Sequence, residues 1–137
     1  MATETQIEIR RSPFTWAVNA EYSQAARIGD LVYTAGQGGF GDDGELVSLE
    51  FTTQTRQALR NVEAALAGHG AGLDSVIKMT VHVANPAHYA LFQQVRREFF
   101  QAPWPASTAV SSQLLVEGML VEIEAIAAVD AKRTYIA

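Results

Sequence analysis

The chain has 137 residues, no cysteine and a formal net charge of −5 at pH 7. Its length predicts one domain over residues 1–137, and its 48% hydrophobic content is typical of a globular protein. The lack of cysteine excludes disulfides, a thiolate nucleophile and thiolate-ligated zinc. The negative charge disfavours nucleic acid as a partner, and no stretch approaches the ~20 apolar residues of a membrane span. Because residues 1–14 lack the apolar segment of a secretory signal, we expect a cytoplasmic protein with no membrane partner.

The first part of the chain favours short strands joined by turns. Residues 6–10 alternate apolar and polar side chains, which predicts a short strand. Residues 23–36 predict a hairpin that turns at Gly29–Asp30. Residues 36–44 then predict a glycine-rich loop that closes at Asp43–Gly44.

Residues 52–70 predict a helix, because their apolar residues recur with the period of one helical face. The members of this stripe are Ala58, Leu59, Val62, Ala65 and Leu66. Either Thr52 or Thr53 is expected to cap the start of the helix, and either Gly68 or Gly70 to end it.

A strand and a second helix follow. Residues 77–83 alternate strictly, so Ile77 and every second residue after it are expected to face the core. Asn85–Pro86 is typical of a helix start, and Pro103 and Pro105 are expected to stop that helix. The side chains available for its buried side are Tyr89, Phe92, Val95, Phe99 and Phe100.

The last two strands are predicted over residues 107–113 and 119–128. The complete order is three strands, a helix, a strand, a helix and two strands. This order predicts an α+β domain with two helices packed on one face of a mixed sheet. The other face would then be uncovered, and the supply of apolar residues indicates that it meets another subunit.

Two patterns suggest a cofactor or a metal but are explained better without one. Gly36–Gly41 matches G-x-G-x-x-G, yet no helix begins there, and Asp42–Asp43 would repel a phosphate. We therefore interpret these glycines as loop residues. His69, His82 and His88 lack the spacing of metal ligands or of a catalytic triad, which favours solvated or core histidines.

Glu122 and Glu124 lie two residues apart in the apolar run VEIEAIA. In a strand they would share one face, because side chains alternate with a period of two. Either both acids are solvated on an exposed face, or one is partly buried in a cleft. In a cleft, desolvation would raise its pKa and suit it to general acid–base catalysis.

The segment APWPASTAVSS places several hydroxyls before and within a predicted strand. Ser107, Thr108, Ser111 and Ser112 are either ordinary strand polarity or a hydrogen-bonding wall for a small polar ligand. Trp104, between two prolines, is either a core anchor or the lid of a pocket.

Five segments, spread over residues 20–128, are more specific together than any one of them alone. They are 22–37 (YSQAARIGDLVYTAGQ), 55–85 (TRQALRNVEAALAGHGAGLDSVIKMTVHVAN), 92–100 (FQQVRREFF), 103–107 (PWPAS) and 121–127 (VEIEAIA). Together they resemble the YjgF/RidA family, whose members are also labelled endoribonuclease L-PSP.

The resemblance implies a chorismate-mutase-like fold that assembles as a homotrimer, with small-molecule sites in clefts between subunits. It also implies hydrolysis of reactive enamines and imines, such as 2-aminoacrylate, to a keto acid and ammonia. No metal or organic cofactor is implied for this chemistry.

Carried over by the resemblance, Tyr22 matches the pocket tyrosine, and Gly36 and Gln37 match a turn whose backbone contacts the ligand. Glu124 matches the glutamate that positions or activates the attacking water. Glu122, although expected on the same side, is interpreted as the more structural or solvated acid.

Three positions depart from the pattern of the family. Ser107 stands where the deaminases carry the arginine that clamps a substrate carboxylate, and serine supplies neither charge nor a planar fork. Gln93 replaces an asparagine of the second helix. Ala20–Glu21 replaces a Gly–Pro pair before the tyrosine, with the aromatic Trp16 upstream.

The sequence therefore predicts a RidA-like, cofactor-free hydrolase of an imine or enamine other than a simple 2-imino acid. Glu124 is its predicted catalytic residue. The predicted substrate-binding residues are Tyr22, Gly36, Gln37, Gln93, Trp104, Ser107 and Thr108. One alternative is a noncatalytic ligand-binding or regulatory trimer, and a less favoured one is an endoribonuclease or translation inhibitor, which the acidic charge opposes.

Overall fold

The structure is a computed structural model that describes residues 4–137, so residues 1–3 of the predicted domain lie outside it. Within that range the chain forms six strands and two α-helices in the predicted order. The strands are β1 (Ile7–Ile9), β2 (Ala25–Ile28), β3 (Leu31–Thr34), β4 (Val76–Val83), β5 (Ala106–Ser111) and β6 (Val121–Ala128); the helices are α1 (Phe51–Ala67) and α2 (Tyr89–Phe99). Neither described helix combines the length and the apolar character needed to cross a bilayer.

All six strands join in one sheet, in the order β1-β2-β3-β6-β4-β5. β4 and β5 run parallel, whereas the other neighbouring pairs are antiparallel. The crossover between the parallel strands carries α2, because a parallel pair needs a long connection. This mixed sheet with its two helices confirms the predicted α+β class. β6, the last strand, lies in the interior of the sheet between β3 and β4.

The helices cover one face of the sheet, which we term the covered face. α1 contributes Leu59, Val62 and Leu66, and α2 contributes Phe92 and Val95, all of them buried. The sheet contributes Val32, Val76, Met79, Val81, Val83, Val121, Ile123, Ala125 and Ala127. Burying a large apolar side chain contributes roughly 1.5–3 kcal/mol, so this cluster supplies most of the driving force for folding.

The opposite face, which we term the open face, has no element of the described chain packed on it. Strand register places its apolar side chains at Ile7, Ile9, Ile28, Leu31, Tyr33 and Ile126. Its polar side chains are Lys78, Thr80, His82, Glu122 and Glu124. The apolar part is continuous across β1, β2 and β3, which is the kind of patch that a monomer rarely leaves in water. Coverage by another subunit stays a prediction.

The predicted cap of α1 is wrong, because the helix begins earlier. Glu50 occupies the N-cap position, and Thr52 and Thr53 lie inside the first turn. Both threonine hydroxyls donate to Glu50 Oε1, at 2.7 and 3.0 Å, and these bonds lower the pKa of the Glu50 carboxyl. At the other end the helix stops at Gly68, one of the two predicted glycines.

The prediction that Ile77 faces the core is also wrong. β4 has an irregularity between Val76 and Lys78 in its pairing with β6. Val76 is fully buried in consequence, whereas Ile77 is 45% exposed. A bulge adds one residue to a strand and so breaks strict alternation, which a sequence pattern alone does not reveal.

Candidate functional site

A turn at Gly36–Gln37 is fastened to the centre of β6. The Gln37 amide donates to the Ile123 carbonyl at 2.8 Å, and the Ile123 amide donates to the Gln37 carbonyl at 2.9 Å. The buried Gln37 side chain also donates through Nε2 to Gln24 Oε1 at 2.7 Å. The turn is therefore held by its backbone and by a buried amide pair, so its position relative to β6 is defined.

Glu122 lies against this turn. A Cβ placed on Gly36 would overlap the Glu122 carboxylate, so the carboxylate occupies the space that glycine leaves free. The family resemblance predicted the catalytic role for Glu124 and a structural or solvated role for Glu122. The geometry of one chain instead brings Glu122 to the Gly36–Gln37 turn, and the catalytic assignment of Glu124 stays a prediction.

Glu124 faces a different part of the same open face. Its side chain is 50% exposed, and its Oε1 lies 3.6 Å from His82 Nε2. It also lines a cavity of about 190 Å³. The other lining residues are Tyr33, Thr34, Lys78, Thr80, Ala125 and Ile126. This cavity is lined by a carboxylate, an ammonium group, hydroxyls and two apolar side chains, which suits a small polar molecule.

The predicted hydroxyl wall is divided between the two faces of β5. Thr108 pairs with Thr80, whose partner on β6 is Glu124, so these three residues form a row across the open face. Ser107 pairs with Met79, which is buried on the covered face. Because neighbouring residues of a strand point in opposite directions, Ser107 and Thr108 do not contact the same ligand from one chain.

The other predicted binding residues are spread over the molecule. Trp104 is half exposed and lines a second cavity of about 320 Å³, together with Ile77 and Pro105. Gln93 is half-buried on α2, and Tyr22 is exposed. Within one chain Trp104 thus lines a different cavity from Glu124, and its role as a binding residue stays a prediction.

The glycine-rich loop after β3 owes its glycines to packing. A Cβ on Gly39 would lie 2.7 Å from the Gln54 backbone in α1, which leaves no room for a larger residue. Asn61 Nδ2 donates to the Gly38 and Phe40 carbonyls, at 3.0 and 2.9 Å. These contacts explain the loop without a phosphate. Within residues 4–137, no cluster of histidine and acidic side chains is arranged to hold a metal ion.

Arg133, which no sequence pattern singled out, lies a few residues before the last residue of the sequence. Its Nε donates to the Pro103 carbonyl at 2.7 Å, and its Nη1 donates to the Leu73 and Val76 carbonyls, both at 2.9 Å. Partial burial lowers the pKa of this guanidinium. The residue ties the end of the chain to the loop that carries Trp104, and no spacing in the sequence indicates such distant partners.

The sequence and the fold have relatives among known proteins. The family model described as endoribonuclease L-PSP matches residues 14–129. The chain belongs to the endoribonuclease L-PSP, or YjgF/RidA, family. The match confirms the family resemblance found in the sequence and spans β2 to β6, including the Gly36–Gln37 turn and both glutamates.

Individual relatives agree with this assignment. A RutC family protein of Pyrococcus horikoshii is 39% identical over 107 residues, which are 77% of this chain and 85% of that protein. A protein of Dermatophagoides farinae named 2-iminobutanoate/2-iminopropanoate deaminase is 33% identical over 80% of this chain and 86% of its own length. The crystal structure of RidA from an Antarctic Psychrobacter superposes with a TM-score of 0.78 at 32% identity, over 90% of this chain and 98% of RidA.

Proposed function

We propose that this YjgF/RidA-family chain hydrolyses the C=N bond of an imine or of the imine tautomer of an enamine. The observation that carries the proposal is the placement of Glu124 beside small-molecule-sized space on the open face, with Glu122 on the same face of β6. Glu122 lies against the Gly36–Gln37 turn, and Glu124 lines the 190 Å³ cavity. Relatives named 2-iminobutanoate/2-iminopropanoate deaminase support this reaction class.

The reaction needs proton transfer and no redox step. Hydrolysis of R₂C=NH by water forms a C–O bond, breaks the C–N bond and releases a ketone and ammonia. Both protons of the water end on nitrogen, so a nearby group must accept and return protons twice. A carboxylate can do both, which is general acid–base catalysis. Glu124 keeps its predicted role as that group, and Glu122 is the rival that lies closer to the turn.

The proposed substrate is not anchored through a carboxylate in the usual way of the family. Ser107 takes the place that the resemblance assigns to an arginine, and it lies on the opposite side of β5 from Thr108. Loss of such a charged, bidentate partner would cost on the order of 2–4 kcal/mol of binding. We therefore propose an uncharged or differently anchored C=N compound.

The active form is proposed to be a cytoplasmic homotrimer with its clefts between subunits. The exposed apolar side chains on β1, β2 and β3, such as Ile9, Ile28 and Tyr33, support self-association. Because the resemblance implies sites between subunits, we propose that Trp104, Ser107 and Gln93 of one chain complete the site of the next. The net charge of −5 supports small molecules over nucleic acid as ligands.

The test is ammonia release from in situ generated 2-aminoacrylate and from bulkier, uncharged imines. The wild type is compared with Ser107→Arg, Glu124→Gln and Glu122→Gln. We expect turnover of an uncharged imine by the wild type, and gain of 2-aminoacrylate turnover by Ser107→Arg. Removing the responsible carboxylate should lower kcat by about 10²–10⁴-fold. The glutamate whose loss has this effect is the catalytic one.

Sedimentation of every variant is the control, since each must keep the oligomeric state of the wild type. High wild-type activity on 2-aminoacrylate would contradict the role given to Ser107. If no imine is turned over but a small molecule binds, the noncatalytic ligand-binding or regulatory trimer is the better description. RNA binding that persists at moderate salt would instead favour the endoribonuclease or translation-inhibitor alternative.

A further inference from the structure

The segment after β6 borders a cavity with two positive charges that the proposed function does not use. The family match ends at residue 129, so residues 130–137 lie beyond it. Between this segment and the loop before β5 is the cavity of about 320 Å³, which we term the tail cavity. Among the described residues it shares no lining side chain with the cavity of Glu124. Its volume is in the range of small-molecule sites.

Arg133 brings to the tail cavity a charge that no acid of the described chain pairs with. Its Nε and Nη1 donate to the carbonyls of Pro103, Leu73 and Val76, which are neutral and leave the positive charge in place. Within residues 4–137, Arg133 forms no ion pair, and its Nη2 has no hydrogen-bond partner. A partly buried charge without a counter-charge is costly. A bound anion would supply that counter-charge and accept from Nη2.

Lys132 adds a second positive charge to the tail cavity. Its ammonium group also forms no ion pair with the described residues. No acidic side chain of residues 4–137 lines the tail cavity, whereas Asp74 and Asp130 line neighbouring cavities that share Lys132. The lining is therefore locally positive in a chain whose net charge is −5. Such a concave positive region attracts anions.

The remaining lining of the tail cavity offers an apolar surface. Trp104 is 50% exposed and Ile77 is 45% exposed, and both line the cavity. Pro103 and Pro105 restrict the backbone on both sides of Trp104, because a proline ring fixes its own φ and limits the residue before it. The bond from Arg133 to the Pro103 carbonyl holds the guanidinium next to this segment. An exposed indole held in this way offers a flat face to an aromatic ring.

We propose that the tail cavity binds a small aromatic carboxylate, with its carboxylate at Lys132 and Arg133 and its ring against Trp104. The two cations select the charge of the ligand, and the indole selects its planar ring. An inorganic anion lacks the ring, and an uncharged aromatic compound lacks the charge, so neither satisfies both parts of the lining. The proposal concerns binding alone and does not depend on imine hydrolysis.

The first test locates the ligand with benzoate as the probe. The chain has two tryptophans, so Trp16→Phe in the full-length protein leaves Trp104 as the only indole. We expect a saturable change in the emission of Trp104 when benzoate is added. Benzamide, which has the ring without the charge, should bind about 10-fold more weakly. Cyclohexanecarboxylate, which has the charge without the aromatic ring, should bind about 3-fold more weakly. Inorganic phosphate should leave the emission unchanged.

The second test measures the affinity for benzoate by titration calorimetry in charge variants. Lys132→Glu reverses an exposed charge and should weaken binding about 10-fold, and added salt should weaken binding to the wild type. Arg133→Gln should weaken it about 10-fold or more. Because Arg133 also fastens residues 130–137 to the loop before β5, Lys132→Glu is the decisive variant. Arg60→Glu, on the exposed side of α1, changes the net charge equally and should leave the affinity unchanged.

Several results would overturn the tail site. They are no saturable binding of benzoate to the assembled protein, equal binding of benzamide, an unchanged Trp104 emission, or an unchanged affinity in Lys132→Glu. The outcome is separate from that of the proposed reaction. If benzoate binds as expected but no imine is turned over, the tail site stands and the reaction fails. If imines are turned over but benzoate does not bind, the reaction stands and the tail site is overturned.

Discussion

The two faces of β6 differ in composition and burial, although one stretch of backbone carries both. On the covered face, Ile123 and Ala125 are buried against the helices. On the open face, Glu122 and Glu124 alternate with them and are left without a covering element from the described chain. One strand therefore contributes both to the core and to the candidate site. The chemistry of the open face is positioned by residues whose own burial stabilises the fold.

This contrast indicates which substitutions should change the stability of the domain and which should change its binding. Changes on the covered face disturb packing, because protein interiors are dense and tolerate few voids. Substitutions on the open face should change the binding of ligands or partners while the chain stays folded. The following predictions test this division, from the largest expected effect to the smallest.

Ile123→Ala should destabilise the chain strongly, and Ile126→Ala on the same strand should not. Ile123 is fully buried, so its truncation should lower the free energy of unfolding by about 2–5 kcal/mol. Ile126 lies on the open face, so its truncation should act through the proposed self-association and vary with protein concentration. Urea denaturation at several protein concentrations measures both effects. If both variants lost the same free energy of unfolding at every protein concentration, the distinction between the covered and the open face would be wrong.

Gly39→Ala and Gly36→Ala should separate packing from site chemistry. The new Cβ at position 39 meets the Gln54 backbone, which cannot move aside, so we expect a loss of about 1–3 kcal/mol. The three atoms nearest to the new Cβ at position 36 all belong to the flexible Glu122 side chain. We expect little loss of stability there but a displaced carboxylate and an altered kcat. Thermal denaturation and imine turnover measure the pair, and unaltered turnover in Gly36→Ala would argue against a role for Glu122.

The buried imidazole of His69 should make stability depend on pH, and this effect is expected to be smaller than those of the substitutions above. The residue is buried, and desolvation, followed by the nearby Arg10, lowers the pKa of its imidazole. Below the ordinary value of about 6.5, the unfolded chain therefore binds more protons than the folded one. Stability is fully present above that pH and is lost as pH falls through the lowered folded value. His69→Gln should reduce this acid-side loss in urea denaturation between pH 7 and 5. The same pH slope in both proteins would contradict the prediction.

Local patterns predicted much of the fold because burial imposes a period on the sequence. The apolar stripe of α1, for example Leu59 and Leu66, is buried as its spacing indicates. The failures have specific causes. Thr52 and Thr53 do not cap the helix because Glu50 takes that position and binds their hydroxyls. Ile77 is exposed because the irregular pairing at the start of β4 breaks its alternation.

The candidate site was less predictable than the fold. The spacing of Glu122 and Glu124 was enough to put both on one face, since the period of a strand is two. Which of them meets the Gly36–Gln37 turn depends on how that turn docks onto β6, which is a contact between distant segments. Ser107 and Thr108 were assigned together, although adjacent positions on β5 must point to opposite faces.

By itself the sequence determined the α+β class, the order of the elements, the family and the shared face of the two glutamates. These properties follow from periodicity, turn residues and short motifs, all of which are local. Only the tertiary structure decided that Glu122 borders the turn, that His82 lies near Glu124, and that Arg133 fastens the loop before β5. Each of these is a contact between segments far apart along the chain, set by strand register and loop docking, for which a local pattern carries no information.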